Sequence, residues 1–272
     1  MSQLEEIIRK FLQNSTPGSD GAILQDIKVL LDDSNSVPLL NRLFKQHYTK
    51  EVTVDNSSSG QVKIVQLPNK ELTIVSGYNT HDNFWIDYKN NVIFDYDFIN
   101  ETVIDVEEVD LKFSAQCQSI QKELDNYMHS HFTSDSVGLL LPDGDNEYKI
   151  IIVGEKLSDA NFYNGKWTSV YSIKNGLIDG IVRIAVHYYE DGNVMLNSAS
   201  LVHEETSGDK LISQLVSLER QIEVDLLKKI ANLNEEKFKS LRRLLPISRS
   251  KMIWGKAMGN YKLGQDVVGG RH

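Results

Sequence analysis

Apolar residues recur at helical spacing in the first fifth of the chain. The first run consists of Leu4, Ile7, Ile8, Phe11 and Leu12. Pro17 and Gly18 interrupt the pattern, which resumes at residues 23–31 and again after Pro38. Positions i, i+3, i+4 and i+7 lie on one face of a helix. The spacing therefore predicts three amphipathic helices, joined by short loops into an N-terminal bundle over residues 3–48.

The next segment mixes short β-like runs with one helical run. Strands are predicted near residues 62–67, 72–76, 84–88 and 92–96. The acid-rich stretch 101–110 is predicted to be a solvated loop. A helix is predicted over 115–132, because Cys117, Ile120, Leu124, Tyr127 and His131 fall near helical spacing.

The pattern then changes to the alternation of an antiparallel sheet. Five β-rich runs follow one another: Val137–Leu141, Tyr148–Val153, Trp167–Ile173, Ile181–Tyr189 and Val194–Val202. Turn dipeptides are found at Asp143-Gly144, Asn164-Gly165, Asn175-Gly176, Asp179-Gly180 and Asp191-Gly192. Such pairs favour tight hairpins. In the fourth run Val182, Ile184 and Val186 share one face, which predicts a half-buried meander.

One long helix is predicted after the sheet. Its apolar stripe consists of Leu211, Leu215, Leu218, Ile222, Leu226, Ile230 and Leu233, and no glycine or proline occurs from Lys210 to Leu245. At 1.5 Å per residue the stripe extends about 35 Å. It could cover a broad sheet or pack against a partner helix.

The C-terminal segment differs in charge from the rest of the chain. The chain carries a net charge of −9, yet residues 237–262 contain eight basic residues and no acidic one. Ile253, Trp254, Ala257, Met258 and Tyr261 form one apolar face. The segment is therefore predicted to be a basic amphipathic helix, weakened by Gly255 and Gly259.

Together these elements predict an α+β fold. It comprises an N-terminal helical bundle, an antiparallel β-sheet with a long helix packed across it, and a C-terminal amphipathic tail helix. The predicted divisions are a three-helix stalk at 1–50, a small β-rich globule at 51–112, the helix, sheet and long helix at 113–236, and the basic segment and tail at 237–272.

Composition narrows the classes of function. The acidic balance disfavours nonspecific nucleic-acid binding. No run reaches the roughly 20 apolar residues of a membrane span, and the acidic N-terminus predicts no signal peptide. A single cysteine, Cys117, excludes an internal disulfide and fits a cytoplasmic location.

No catalytic or metal-binding motif is found. His129 and His131 are two residues apart and do not share a helix face, so a zinc site is not expected. His187, near Glu190, is interpreted as a strand residue beside an acidic turn. Phosphate loops, dinucleotide fingerprints and nucleophile elbows are absent. We therefore expect neither a cofactor nor an enzymatic activity.

Three strings resemble the heterodimeric F-actin capping protein family, in its alpha subunits. They are Phe162-Tyr163-Asn164-Gly165-Lys166-Trp167-Thr168-Ser169, Val186-His187-Tyr188-Tyr189-Glu190-Asp191-Gly192-Asn193-Val194, and Leu241-Arg242-Arg243-Leu244-Leu245-Pro246-Ile247-Ser248-Arg249-Ser250-Lys251. Trp254 and the string Tyr261-Lys262-Leu263-Gly264 continue the match. The resemblance extends, more weakly, over the N-terminal helices.

The resemblance implies a heterodimer with a beta subunit. Segment 113–236 would form the dimer core, with a shared sheet crossed by two antiparallel long helices. The dimer would bind the barbed end of actin filaments and block subunit addition and loss, in the cortical actin cytoskeleton. Acidic phosphoinositides and regulatory proteins are further partners that the resemblance implies.

It also implies which residues contact actin. They are Lys239, Arg243, Arg249, Lys251, Trp254, Met258 and Tyr261. The alternative is a phosphoinositide-regulated membrane or scaffold protein that uses the same basic amphipathic tail. An enzyme with an unrecognised site in the β-rich half is a third hypothesis.

Overall fold

The computed structural model describes residues 3–31, 36–49, 61–132, 135–190, 193–206 and 210–232. These residues form helices α1 (Gln3–Gln13), α2 (Asp20–Leu31), α3 (Val37–Tyr48), α4 (Ala115–His131) and α5 (Leu211–Asn232). They form strands β1 (Lys63–Gln66), β2 (Leu72–Val75), β3 (Thr80–His81), β4 (Phe84–Asp87), β5 (Val92–Asp97), β6 (Thr102–Glu108), β7 (Ser136–Gly144), β8 (Glu147–Ser158), β9 (Tyr163–Lys174), β10 (Leu177–Tyr188) and β11 (Val194–Glu205). The predicted α+β fold class is confirmed for this part of the chain, and the tail lies outside it.

The three N-terminal helices share one hydrophobic core with a small sheet. Ile8, Leu24 and Leu40 from the helices pack in the same cluster as Trp85 and Phe94. The sheet has the antiparallel order β3-β4-β5-β6. The helices and this sheet therefore stabilise each other, and the proposed division near residue 50 stays a prediction.

Residues 101–110 were expected to be a loop, and this prediction is wrong. Thr102–Glu108 form strand β6, which pairs with β5 through a register shift between Ile93 and Asp95. β6 has one neighbour in its sheet, and most of its side chains are exposed. Acidic residues on such an edge strand stay in water while the backbone pairs, so local acidity does not indicate a loop.

The five-stranded sheet is the predicted meander, in the order β11-β10-β9-β8-β7. Every neighbouring pair is antiparallel and consecutive in the chain. Asn175 and Gly176, with φ of 53° and 77°, form the turn between β9 and β10 as predicted. Gly144, with φ of 150°, ends β7 at the next predicted turn.

Two other predicted turns are wrong, because both dipeptides lie inside paired strands. Asn164-Gly165 belongs to β9, and Asp179-Gly180 belongs to β10. Gly180 is needed because there is no room for a side chain at this position. A Cβ there would lie 2.4 Å from a Tyr171 ring carbon and 2.8 Å from the Val170 carbonyl oxygen. Asp191-Gly192 lies outside the described residues.

Helices α4 and α5 cover one face of the five-stranded sheet. Leu124 of α4 and Leu211, Leu215 and Leu226 of α5 share a core with Trp167 and other sheet residues. The long apolar stripe therefore packs on this chain's own sheet, which was one of its two predicted uses. None of the described helices combines the length and apolar character needed to cross a membrane.

The opposite face of the sheet is covered only in part. The β1–β2 hairpin packs Val62 and Ile74 against Leu139, Ile151 and neighbouring residues of β7 to β10. The part of this face that β10 and β11 form extends beyond the hairpin, and a groove lies over it.

Candidate assembly surface

The seven residues predicted to contact actin all follow Asn232, where α5 ends. Lys239, Arg243, Arg249, Lys251, Trp254, Met258 and Tyr261 lie outside the described residues, so their roles stay predictions. The described surface shows three features of an assembly site: a strand edge with one open side, a groove beside it, and exposed apolar side chains on two helices.

Strand β11 forms one edge of the five-stranded sheet. It is 12 residues long and pairs with β10, and it has no second neighbour among the described strands. Residues 194–202 contain no charged side chain. Long, uncharged edges present unpaired N–H and C=O groups that can pair with another strand. This edge is therefore suited to extending the sheet with a strand of a partner.

The side chains of β11 alternate between the two faces of the sheet. Val202 and Leu196 face α4 and α5 and pack in or against the main core. Met195 and Leu201 face the other way and are 44% and 64% exposed. Apolar side chains beside an unpaired edge would lose contact with water if a partner packed there.

A groove of about 1000 Å³ lies over this second face. Its floor includes Lys166 and Thr168 of β9, Arg183 of β10, and Asn197 and Ala199 of β11. Its walls come from the loop between α1 and α2 and from the start of β1, which contribute residues 13–18 and 61–64. The groove is contiguous with the open edge of β11.

Most charges around this groove are already engaged within the chain. Lys63 lies 2.9 Å from a Glu101 carboxylate oxygen, and Lys166 lies 2.6 Å from one of Glu155. Lys166 also donates to the Val62 carbonyl oxygen. Arg183 is half-buried, and no hydrogen bond or ion pair joins its guanidinium to a described side chain.

Helices α1 and α2 expose apolar side chains. Ile8 and Leu12 of α1 are buried, whereas Leu4, Ile7 and Phe11 are 38%, 50% and 51% exposed. The exposed three are spaced i, i+3 and i+7 and therefore line one helix face. On α2, Val29 and Leu30 are 78% and 77% exposed. The apolar pattern predicted for α1 is wider than the core of this chain requires.

A buried carboxylate that sequence reasoning missed fixes α5 on the sheet. Glu219 is 1% exposed and accepts hydrogen bonds from three hydroxyl groups. They are those of Tyr127 at 2.6 Å, Ser169 at 2.5 Å and Tyr171 at 3.0 Å. The signal was present, since Glu219 follows Leu215 by four residues and is the acid within the apolar stripe.

Burial raises the pKa of the Glu219 carboxyl, and the hydrogen bonds from Ser169, Tyr127 and Tyr171 oppose this rise. Burial, with the nearby Glu219 charge, also raises the pKa of Tyr127, so its phenol is a donor at neutral pH. A satisfied buried network specifies one arrangement of its members. Glu219 thus fixes the position of α5 relative to α4 and β9.

The side chains that could have been catalytic or metal-binding are instead buried or engaged in contacts with neighbouring side chains. His187 shares a hydrogen bond with Asn193 at 2.7 Å, and the His131 ring stacks on Tyr127. Cys117 is 4% exposed. Across the described ranges, no group of three His, Cys, Asp or Glu residues is placed to hold a metal ion.

Comparison with known proteins decides the family. The model of the family described as F-actin capping protein alpha subunit matches residues 8–266. The chain belongs to this F-actin capping protein alpha subunit family. The match continues past α5 and includes the predicted contact residues from Lys239 to Tyr261.

Fungal members of the F-actin capping protein alpha subunit family resemble the chain over nearly its full length. The F-actin-capping protein subunit alpha of Debaryomyces hansenii is 33% identical over 272 residues, which cover 97% of each chain. That of Yarrowia lipolytica is 34% identical over 271 residues, covering 98% of this chain and 97% of the relative.

A solved member of this family has the same fold. The homodimeric actin capping protein alpha subunit from Plasmodium berghei superposes with a TM-score of 0.65. It covers 91% of this chain and 99% of its own, at 16% identity. At that identity the likeness supports the fold alone.

Proposed function

We propose that the chain is the alpha subunit of a heterodimer that caps the barbed ends of actin filaments and blocks subunit addition and loss. The observation that carries the proposal is the family match over residues 8–266, with fungal alpha subunits aligned over at least 97% of each chain. The proposed activity is binding, and no catalytic step is part of it.

The described surface supports the need for a partner. The uncharged stretch 194–202 of the β11 edge and the exposed side chains of Met195, Leu201 and Phe11 are features that a second subunit would cover. We propose that this partner is a capping protein beta subunit that adds strands to β11. A second copy of this chain is the competing partner, since the Plasmodium relative is described as homodimeric.

The tail supplies the proposed contact with actin. Lys239, Arg243, Arg249 and Lys251 would orient the dimer on the acidic filament, because opposite charges speed encounter. The apolar face of Trp254, Met258 and Tyr261 would then enter a hydrophobic groove. Full burial stabilises the complex by about 1.5–3 kcal/mol per side chain, partly offset by ordering of the tail.

Elongation of actin from filament seeds tests the proposal. The chain is co-expressed with a beta subunit, and association with filament ends is measured over a range of salt concentrations. We expect the double variant Arg243→Ala/Arg249→Ala to associate more slowly and with a weaker salt dependence. Deletion of residues 246–272 should in addition speed dissociation, because it removes the apolar contact together with Arg249 and Lys251.

A matched variant controls for charge alone. Lys10→Ala/Lys70→Ala removes two positive charges outside the tail, and it should leave association close to wild type. An unchanged salt dependence in the Arg243/Arg249 variant, or an equal change in the control, would contradict the assigned role of the tail.

The alternative as a membrane or scaffold protein gains no support, because the relatives named above are capping proteins. Binding of acidic phosphoinositides is a second property that we propose for the basic tail. Its test is sedimentation of the dimer with phosphoinositide-containing vesicles, compared with neutral vesicles. We place the dimer on the actin cytoskeleton, and imaging of the tagged chain beside labelled filaments tests this location.

A further inference from the structure

We propose that Arg183 binds a carboxylate of the partner subunit and thereby helps to select that partner. The inference rests on the proposed heterodimer. Arg183 lies on the groove floor, one strand inward from the open edge of β11. The groove face would therefore continue onto any strand that a partner adds.

Arg183 is the one basic residue of the groove's described lining without an ion pair, and the lining as a whole carries three basic residues and three carboxylates. Among its described lining residues, Lys63 and Lys166 have carboxylate partners, and Asp20 accepts a hydrogen bond from Tyr48. Arg183 has no such partner in the described part of the chain. A half-buried guanidinium without a counter-ion is unfavourable, and an added carboxylate would relieve this cost.

The immediate surroundings do not supply that counter-ion. Burial lowers the pKa of Arg183, and the nearby Tyr78 opposes this shift. Thr168 of β9 lies directly across from Arg183 on one side and Ala199 of β11 on the other. Neither side chain carries a charge, so the Arg183 guanidinium has no counter-ion on the neighbouring strands at this register.

The geometry favours a carboxylate from beyond β11. Neighbouring strands are about 4.8 Å apart, so a strand paired with β11 would lie about 10 Å from β10. The small side chain of Ala199 is the side chain between them at this register. An extended arginine and a facing glutamate or aspartate can meet across an alanine, and the planar fork of arginine suits a carboxylate.

Subunit exchange in the full-length heterodimer tests this inference. Labelled heterodimer is mixed with excess unlabelled dimer at fixed concentration, and the exchange rate is measured for Arg183→Leu, Arg183→Glu and Arg183→Lys. We expect the leucine and glutamate variants to exchange at least about tenfold faster, because loss of one partner from a buried charge pair mainly raises dissociation. The lysine variant should be intermediate, since it keeps the charge without the fork.

Lys122→Glu is the matched control. Lys122 is exposed on α4, which packs on the other face of the sheet, and the same charge reversal should change exchange less than about twofold. Each aspartate and glutamate of the beta subunit's adjoining strands is then changed to arginine in combination with Arg183→Glu. One of these reversals should restore slow exchange.

Two results would overturn the assignment. They are wild-type exchange in Arg183→Glu, and failure of every beta-subunit reversal to restore slow exchange. Failure of the wild-type chain to pair with the beta subunit at all would contradict the heterodimer itself, and it is seen before any variant is made.

Discussion

Replacing Tyr127 by phenylalanine removes one hydrogen-bond donor from the buried carboxylate of Glu219 and leaves the aromatic ring in place. The Tyr127 hydroxyl lies 2.6 Å from Oε2 of Glu219, whereas Ser169 and Tyr171 donate to Oε1. Among the described side chains, Tyr127 is thus the donor that satisfies Oε2. The bond also joins α4 to α5 across the core.

The size of the effect follows from the burial of the acceptor. Leaving a buried acceptor without its hydrogen-bond donor costs about 1–3 kcal/mol, because water cannot replace the donor. Glu219 is 1% exposed. We therefore expect Tyr127→Phe to lower the free energy of unfolding by about 2 kcal/mol. Amide hydrogens of α5 should also exchange faster with solvent, because the helix loses one of its attachments.

Urea unfolding of the dimer at fixed protomer concentration measures the loss, with Tyr148→Phe as the control. The Tyr148 ring lies in the same core, yet its hydroxyl is 3.5 Å from Asn146 Oδ1 and makes at best a weak bond. The control should lose less than about 0.5 kcal/mol. Equal losses in the two variants, or no loss in Tyr127→Phe, would refute the assigned role of the Glu219 network.

Three further changes test other parts of the account. Burial raises the pKa of the Glu219 carboxyl, so the stability linked to its protonation is present below the unfolded carboxyl pKa of about 4.3 and is lost as pH rises through the folded pKa. The stability deficit of Glu219→Gln, measured by urea unfolding from about pH 4.5 to 8, should therefore shrink with rising pH. A widening deficit would contradict this. Gly180→Ala places a Cβ against Tyr171 and the Val170 carbonyl and should destabilise the chain by about 1–3 kcal/mol in thermal unfolding; a neutral effect would show that the sheet adjusts. Leu201→Lys changes a side chain that is 64% exposed, so the free energy of unfolding of this chain should change by less than about 0.5 kcal/mol. Binding to the beta subunit, measured in a titration, should weaken at least about tenfold. Unchanged binding would exclude the Leu201 side chain from the interface.

The spacing of apolar residues correctly predicted the helices and strands that bury one face and expose the other. The alternation from Val182 to Val186 describes a face that packs on this chain's own core, as predicted. The described part of the predicted stripe, from Leu211 to Ile230, packs there too, which is one of its two predicted uses. Local pattern was sufficient there because the packed face repeats with the period of the element.

Pattern failed where a contact from elsewhere in the chain decides the structure. Asp179-Gly180 has the composition of a turn, yet Gly180 is required by the Tyr171 ring of the neighbouring strand. The acids of β6 resemble a loop but pair along an edge. Glu219 interrupts an apolar stripe, and its donors lie on α4 and β9, far from it in sequence.

Some residues of the candidate site were predicted from the sequence, and others were found only from the aligned strands. The tail residues from Lys239 to Tyr261 were predicted from charge, apolar spacing and family resemblance, and they stay predictions because they follow the last described helix. Arg183 had no signal in the sequence beyond its place on a strand. Its importance depends on which neighbours have partners, and that is known only once the strands are aligned.

Paired with a beta subunit, this chain should close the barbed end of the actin filament and leave the pointed end free. Growth at both ends of single labelled filaments, in the presence of substoichiometric heterodimer, measures this directly. We expect barbed-end growth to stop while pointed-end growth continues, and deletion of residues 246–272 to restore barbed-end growth. A stable heterodimer that leaves barbed-end growth unchanged would contradict the proposed function.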